Sequence, residues 1–355
     1  MLTLEKIEHI LRPYMARTLS PKCFTELYST NRKGFLDKLQ NLIDAPINNP
    51  QHKVTICNME FRNDLGNAAG LDKDGSLLKF NYYIGAGFAV VGTVLNKPHT
   101  GNLFQMGRKE HNPWVPLPNS KSALNSLGLP SLGVDKAIEN IEKFRLEITD
   151  EDFPVGLSIM GHPLQDGQEK LDGILECVSK SIGKVDFIEI NESCPNVSHK
   201  SDDGLGDRLK AITSIKKDTP IFVKLGNLGT TRQTISLLDE CNVDGLVLLN
   251  TQKDYDYYRP KLSFKDHKVF DYYTRKYGGG LSGDIIKETS FDAVQKAAKE
   301  IKKQASKVQL IHVGGIKTKA DIARSREFAP LREWYTGMME KLCSGPVNKL
   351  YSRVL

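Results

Sequence analysis

Two groups of residues in this 355-residue chain combine types and positions that can do chemistry. The first is Asn191, Ser193, Cys194, Pro195 and Asn196, two carboxamides and a thiol at the end of an apolar run. An Asn side chain both donates and accepts, so it can read a planar ring bearing amide and carbonyl edges. Cysteine most often serves as a small buried hydrophobe. Pro195 and the flanking Asn residues point instead to an exposed loop, where a thiolate can act as a base. The second group is Lys73 and Lys224, each following an apolar run. Such a lysine can simply snorkel at a rim. The preferred reading is that its ammonium neutralises a substrate carboxylate or an anionic reduced ring.

Glycines add a possible anion site. Gly314 and Gly315 end one apolar run, and Thr336 and Gly337 end the next. Glycine pairs are common in turns. Placed after the last two strands of a (β/α)8 barrel, however, they match that fold's phosphate-binding loops. The run 278–283, reading GGGLSG, is expected to be a backbone-exposing loop that covers a cofactor or turns the chain.

The elements that must position these residues follow from hydrophobic periodicity. Eight short apolar runs read as strands, at 67–71, 88–94, 155–160, 187–191, 221–225, 245–250, 308–313 and 332–338. Amphipathic stretches such as 171–182, 231–240 and 291–303 lie between them, the alternation of a parallel sheet. Eight such units, with no GxGxxG after the first strand, favour an α/β fold of the (β/α)8 TIM-barrel type over an open sheet. Most of the runs exit into polar or glycine-rich clusters, which packing alone does not require.

Residues 1–49 form a small N-terminal helical extension in this reading, and 50–355 the barrel. Leu4, Ile7, Ile10 and Leu11 make a helical stripe, Pro13 is expected to interrupt it, and Ser20-Pro21 is a start signal for a second helix. Phe35, Leu36, Leu39, Leu42 and Ile43 make a further stripe. Both stripes are expected to face the core and not a membrane surface.

Composition excludes other classes. With 39% apolar and 26% charged residues the chain is an ordinary globular protein, and its net charge of +6 is dispersed and not gathered into nucleic-acid-binding blocks. The six cysteines are far apart without CxxC pairs and read as reduced thiols, and no metal site is expected. No apolar run reaches the ~18 to 20 residues that span a bilayer, and no secretory signal is visible. A cytoplasmic location, or the inner face of the membrane, is the expectation.

Taken in order, the segments 67–75 (NAAGLDKDG), 92–94 with Lys97, Pro98, Gly101 and Asn102, 191–196 (NESCPN), 279–283 (GGLSG) and 313–316 (VGGI) resemble the dihydroorotate dehydrogenase family. The resemblance runs from about residue 55 to the C-terminus. It implies an FMN-dependent barrel that oxidises dihydroorotate to orotate in pyrimidine synthesis. Ala69, Gly70, Thr93, Ser158, Lys224, Ser282, Gly283, Gly314, Gly315, Tyr335 and Thr336 would bind FMN. Lys73, Leu127, Gly128, Leu129, Asn196, Asn250 and Thr251 would hold the substrate, and Asn125 and Asn191 would touch both ligands. Cys194 would remove the C5 proton while hydride passes from C6 to the flavin. Lys224 would stabilise the negative charge of the reduced flavin.

The family's class signals conflict. Cys194, the NSLGLP run 125–130 and the SIMG run 158–161 resemble soluble members that use fumarate or NAD. The 72–75 run and the helical extension resemble members that pass electrons to a quinone, towards which this reading leans, with possible membrane contact through residues 1–45. Segments 104–120 and 321–331 depart from the family pattern. Alternatives are a soluble fumarate-type enzyme, a related FMN-dependent dihydropyrimidine oxidoreductase, which would not need the cation at Lys73, and a non-catalytic binding barrel. The oligomeric state is not legible.

Overall fold

The structure is a computed structural model that describes residues 3–47, 52–192, 204–227 and 231–355. Eight parallel strands form its centre: β1 (Leu65–Asn67), β2 (Ala89–Val94), β3 (Val155–Ile159), β4 (Phe187–Asn191), β5 (Ile221–Leu225), β6 (Gly245–Leu248), β7 (Gln309–Val313) and β8 (Leu331–Trp334). They pair in the order β1-β8-β7-β6-β5-β4-β3-β2, so that only the β1/β2 seam lacks a continuous ladder. Discrete bonds cross it. Gly87 N donates to Leu65 O at 2.8 Å, and the Asn67 side chain donates to Val90 O at 2.9 Å while accepting from Val90 N at 3.3 Å. The sheet is thereby a nearly closed (β/α)8 barrel.

The two-residue period of a strand decides what faces inward. Phe187, Glu189 and Asn191 on β4, and Phe222 and Lys224 on β5, share one face. Ile188, Ile190, Ile221 and Val223 point outward into the layer of packed helices. The lower interior is apolar and is built from Phe88, Phe187, Phe222, Val247, Ile311 and Leu331. Glycines make room for the rings: a Cβ at Gly156 would sit 2.2 Å from Phe187, and one at Gly66 2.6 Å from Phe88. A hairpin of Val54–Ile56 and Met59–Phe61 supplies Ile56 and Phe61 to this cluster. One pleat further along β3, β4, β5 and β8 the inward residues are Ser158, Glu189, Lys224 and Glu333, and there the interior opens.

Eight expected strands correspond to eight observed ones, with shifted ends. The first ends at Asn67, and residues 68–71 form a turn. The last ends at Trp334, and residues 336–338 already belong to the helix Thr336–Cys343. The expected loop at 278–283 is also corrected. Gly280–Gly283 is a strand paired antiparallel with Ser122–Asn125, which pairs in turn with Trp114–Leu117. Close approach explains its glycines, because a Cβ at Gly279 would lie 2.2 Å from Asn125 O. The divergent segment 104–120 contributes a hairpin, Phe104–Met106 with Lys109–His111, and the outer strand of this side sheet.

Helices α1 (Thr3–Thr18) and α2 (Pro21–Leu39) lie against the side sheet and the barrel mouth. Ser20 caps α2 by accepting from Cys23 N at 3.2 Å, with Pro21 in the first turn. Pro13 does not interrupt α1, which runs through it. Arg12, one residue earlier, grips Glu8 within the helix and Glu340 outside it. Three residues of the first stripe do not face the core. Ile7, Ile10 and Leu11 are 49%, 74% and 47% exposed, whereas Arg12 and Ala16 turn inward. The second stripe does: Leu39 is buried, with Phe35, Leu36, Leu42 and Ile43 packed beside it.

Candidate active site

A cavity of about 570 Å³ opens at the C-terminal ends of the strands, between the barrel and α1/α2. Its floor is one hydrogen-bonded chain of inward polar side chains. Asn250 Nδ2 donates to Asn191 Oδ1 at 3.1 Å, and Asn191 Nδ2 to Thr93 Oγ1 at 3.1 Å. Thr93 and Ser158 share a hydroxyl contact of 3.0 Å, and Ser158 Oγ donates to Glu189 Oε1 at 2.7 Å. Lys224 Nζ then bridges Glu189 Oε2 at 3.2 Å and Glu333 Oε2 at 3.0 Å. Six strand ends are tied together in this way.

Charge is unusually concentrated at the end of that chain, with side-chain exposures of 5% for Lys224, 0% for Glu189 and 2% for Glu333. Burial works against the Lys224 charge, but the two carboxylates outweigh it and hold its pKa above the ordinary value. Burial raises the Glu333 carboxyl to about 8: the Lys224 ammonium opposes that rise and the charge of Glu189 adds to it. A second buried carboxyl stands behind Lys73. Burial and then the neighbouring Asp74 push Asp72 up to about 7. Asp72 accepts from Gly75 N at 2.9 Å and Leu77 N at 3.2 Å, which shapes the turn that presents Lys73 to the cavity.

Most residues singled out by sequence meet here. Ala69, Gly70, Lys73, Thr93, Asn125, Leu127, Leu129, Asn191, Lys224, Asn250 and Thr251 line the cavity. So do Ser282, Gly283, Gly314, Gly315, Tyr335 and Thr336. Ser158 does not: it is fully buried one layer below, between Thr93 and Glu189. Gly128 also stays out of the lining. Its φ of +69° makes a turn beneath Leu127 and Leu129, where a Cβ would meet Asn102 at 2.4 Å. Cys194 and Asn196 lie outside the described residues, and the five described cysteines are free thiols. No cluster that could hold a metal occurs among the described residues.

Other residues of the site did not stand out in the sequence. Glu189 and Glu333 are two positions before Asn191 and Tyr335, and the period of a strand carries Glu189 to the face of Asn191. From α1 and α2 the cavity receives Glu8, Arg12, Tyr28 and Arg32. Arg12 donates to Glu8 at 2.9 and 2.7 Å and to Glu340 at 3.2 Å, and the Tyr28 hydroxyl donates to Glu8. Burial and then the Glu8 carboxylate push the Tyr28 pKa up. These residues are distant in sequence from every motif, so no local spacing signals them.

Known proteins share this fold. Crystal structures of DHODH from Eimeria tenella superpose on this chain with a TM-score of 0.74 in complex with ferulenol and 0.71 without ligand. The first covers 91% of this chain and 89% of its own, at 24% sequence identity, which shows the fold. The dihydroorotate dehydrogenase (quinone) of Pectobacterium carotovorum is 29% identical over 286 residues, 75% of this chain and 76% of that protein. Its namesake from Nitratiruptor is 28% identical over 305 residues, 82% and 78% of the two chains. The family model Dihydroorotate dehydrogenase matches residues 51–328, a stretch that holds all eight barrel strands but the last, so the chain belongs to the dihydroorotate dehydrogenase family.

Proposed function

We propose that this protein oxidises dihydroorotate to orotate, a step of pyrimidine biosynthesis, on an FMN cofactor and delivers the electrons to a quinone. One observation carries the reading: a single cavity joins the chain of polar side chains on the barrel floor to a wall made by α1 and α2.

The residues present fit a flavin nucleotide. Gly70 has φ +101°, and a Cβ there would meet nothing nearer than Tyr335 at 3.9 Å, so the glycine keeps that side of the cavity open for a flat ring. Gly314 and Gly315 expose backbone beside the N-terminus of the helix Thr336–Cys343, a combination suited to a phosphate. Lys224 supplies a buried cation for the negative edge of a reduced ring. When bound, FMN supplies the two-electron acceptor for the substrate's hydride.

The chain's own residues do the rest. Lys73 would face the substrate carboxylate. Asn125, Asn191, Asn196, Asn250 and Thr251 would orient the ring amides, and the 127–129 turn would close over them. Bonds that already fix Asn191 and Asn250 to each other leave little side-chain freedom to lose on binding. Cys194, three residues after the inward Asn191, would take the C5 proton as a general base.

The exposed Ile7, Ile10, Leu11 and Tyr14 of α1 support contact of this helix with a membrane surface, where a quinone would be met. No helix among the described residues is long and apolar enough to cross a membrane. The test is an acceptor screen on purified, flavin-containing protein. Dihydroorotate should bleach the flavin, and a quinone should restore the colour faster than fumarate or NAD. Colourless protein that takes up no FMN overturns the cofactor assignment, and turnover with fumarate alone overturns the quinone.

A further inference from the structure

The flavin pocket contains more acid than one lysine can balance. Lys224 is bracketed at 3.2 and 3.0 Å by two carboxylates, and all three side chains are buried. With both acids ionised the group is a net anion sealed inside the barrel, which is costly to bury. It would also repel negative charge arriving on a neighbouring ring. With one proton shared, the group is neutral.

We propose that the carboxylates of Glu189 and Glu333 share one exchangeable proton beside the Lys224 ammonium, and that the occupancy of this proton site is linked to the redox state of the flavin. This rests on the FMN reading above.

The surroundings isolate the pair. Below it lie Phe187, Phe222 and Leu331. Glu333 lines the cavity, and Glu189 is held from its other side by Ser158 Oγ at 2.7 Å. The neighbouring charges on β8 and at the start of β1 face away: Arg332 points outward to Asp64 at 2.6 Å, and Asp64 is also held by Arg326. The other cations lining the cavity are Lys73, at the turn after β1, and Arg12, Arg32 and Lys38 on α1 and α2. Among the described residues, the charged partners recorded for Glu333 are therefore Lys224 and Glu189. Burial and the second carboxylate both favour the protonated form.

The balance is simple. Reduction brings two electrons and one proton to the ring. The additional negative charge strengthens the pair's hold on a proton, so above the pH at which the oxidised protein releases it, one further proton moves from water to a carboxylate oxygen of the pair. Nothing else is oxidised or reduced. The same negative charge is then faced by a Lys224 ammonium that one acid no longer cancels.

The readout is the flavin midpoint potential of the holoprotein, followed by spectroelectrochemistry from about pH 6 to about pH 9.5, above the ordinary carboxylate range. Each proton taken up with two electrons contributes about 30 mV per pH unit. Wild type should steepen from about 30 to about 60 mV per pH unit as pH rises. Glu333→Gln, which keeps shape and hydrogen bonding, should hold about 30 mV throughout, and Glu189→Gln should do the same. A wild-type slope that never steepens overturns the proposal whether or not either variant folds. A steepening that survives in a flavin-loaded variant overturns it too. Protein that binds no flavin at all fails the FMN reading instead.

Discussion

Arg32 on α2 donates a 2.8 Å hydrogen bond from Nη2 to the hydroxyl of Tyr335, the residue that follows β8, so the helical wall and the barrel floor meet inside the cavity. The contact spans 303 positions of sequence and joins the side proposed to receive the quinone to the side proposed to hold the flavin. Arg32→Ala should lower the rate at which a quinone reoxidises the reduced protein by about tenfold, the effect of losing about 1.4 kcal/mol of a charge-assisted hydrogen bond. The rate at which dihydroorotate bleaches the flavin should stay within about twofold. Stopped-flow measurement of the two half-reactions separates these effects. Equal losses in both would show that the bond serves the barrel's architecture and not the acceptor side.

Lys224 is the only positive charge recorded between Glu189 and Glu333 among the described residues. Lys224→Met would leave two buried acids without it, and removing one partner of a buried ionic group typically costs about 3–5 kcal/mol. Urea unfolding at neutral pH should show that loss. Acidification should recover part of it, because protonated acids no longer repel each other. A Lys224→Met protein of wild-type stability at neutral pH would contradict the burial and pairing of this group.

Stability should also carry the signature of Glu333 itself. Its folded pKa lies above the ordinary carboxylate value, so between roughly pH 4.3, the unfolded value, and the folded value of about 8 the native state binds more protons than the unfolded state. Stability therefore falls as pH rises through that window and levels off beyond it. Asp72, raised to about 7, adds to the same slope over most of the same range. Glu333→Gln should flatten the slope by up to one proton's worth and leave the Asp72 part intact. Urea midpoints collected across the window measure this, and an unchanged slope would mean that Glu333 is ionised in the native protein.

Below the charged group the barrel is filled by rings seated against glycines. Gly156 faces Phe187 so closely that an added Cβ would sit 2.2 Å from the ring. Gly156→Ala should cost about 1–3 kcal/mol, the usual penalty of overpacking, read as a lower urea midpoint with an unchanged slope. Loss of less than about 0.5 kcal/mol would mean that Phe187 swings aside freely.

What the sequence reveals and what it conceals divide along the same lines. β4 and β5 were legible to the residue, because 187–191 and 221–225 are short apolar runs whose polar exits, Asn191 and Lys224, mark the mouth of a barrel. The strand Gly280–Gly283 was not, since a run of glycines carries no side-chain periodicity, and its pairing with Ser122–Asn125 depends on chain 155 positions away. Ile7, Ile10 and Leu11 show the opposite failure: their helical spacing is real, but spacing does not say whether an apolar face meets the core or the outside. Glu333 was hidden because a glutamate in an otherwise unremarkable strand looks like a solvated charge until the fold sets it beside Lys224.

Cys194 tests the proposed chemistry most directly. Asn191, the last described side chain before it on the cavity floor, is fixed by Thr93 and Asn250, so the segment that carries the thiol leaves from a rigid anchor. Removing a general base costs about 10²–10⁴-fold in rate, and Cys194→Ala should slow dihydroorotate-dependent bleaching of the flavin by that factor. Orotate binding, read as a shift of the flavin spectrum, should persist, because the carboxylate and amide contacts are proposed to come from other residues. Cys194→Ser should restore part of the rate, with its pH profile moved to higher pH, since a hydroxyl releases its proton less readily than a thiol whose ordinary pKa is about 8.5. If Cys194→Ala bleached as fast as wild type, the base would have to be sought elsewhere in the cavity.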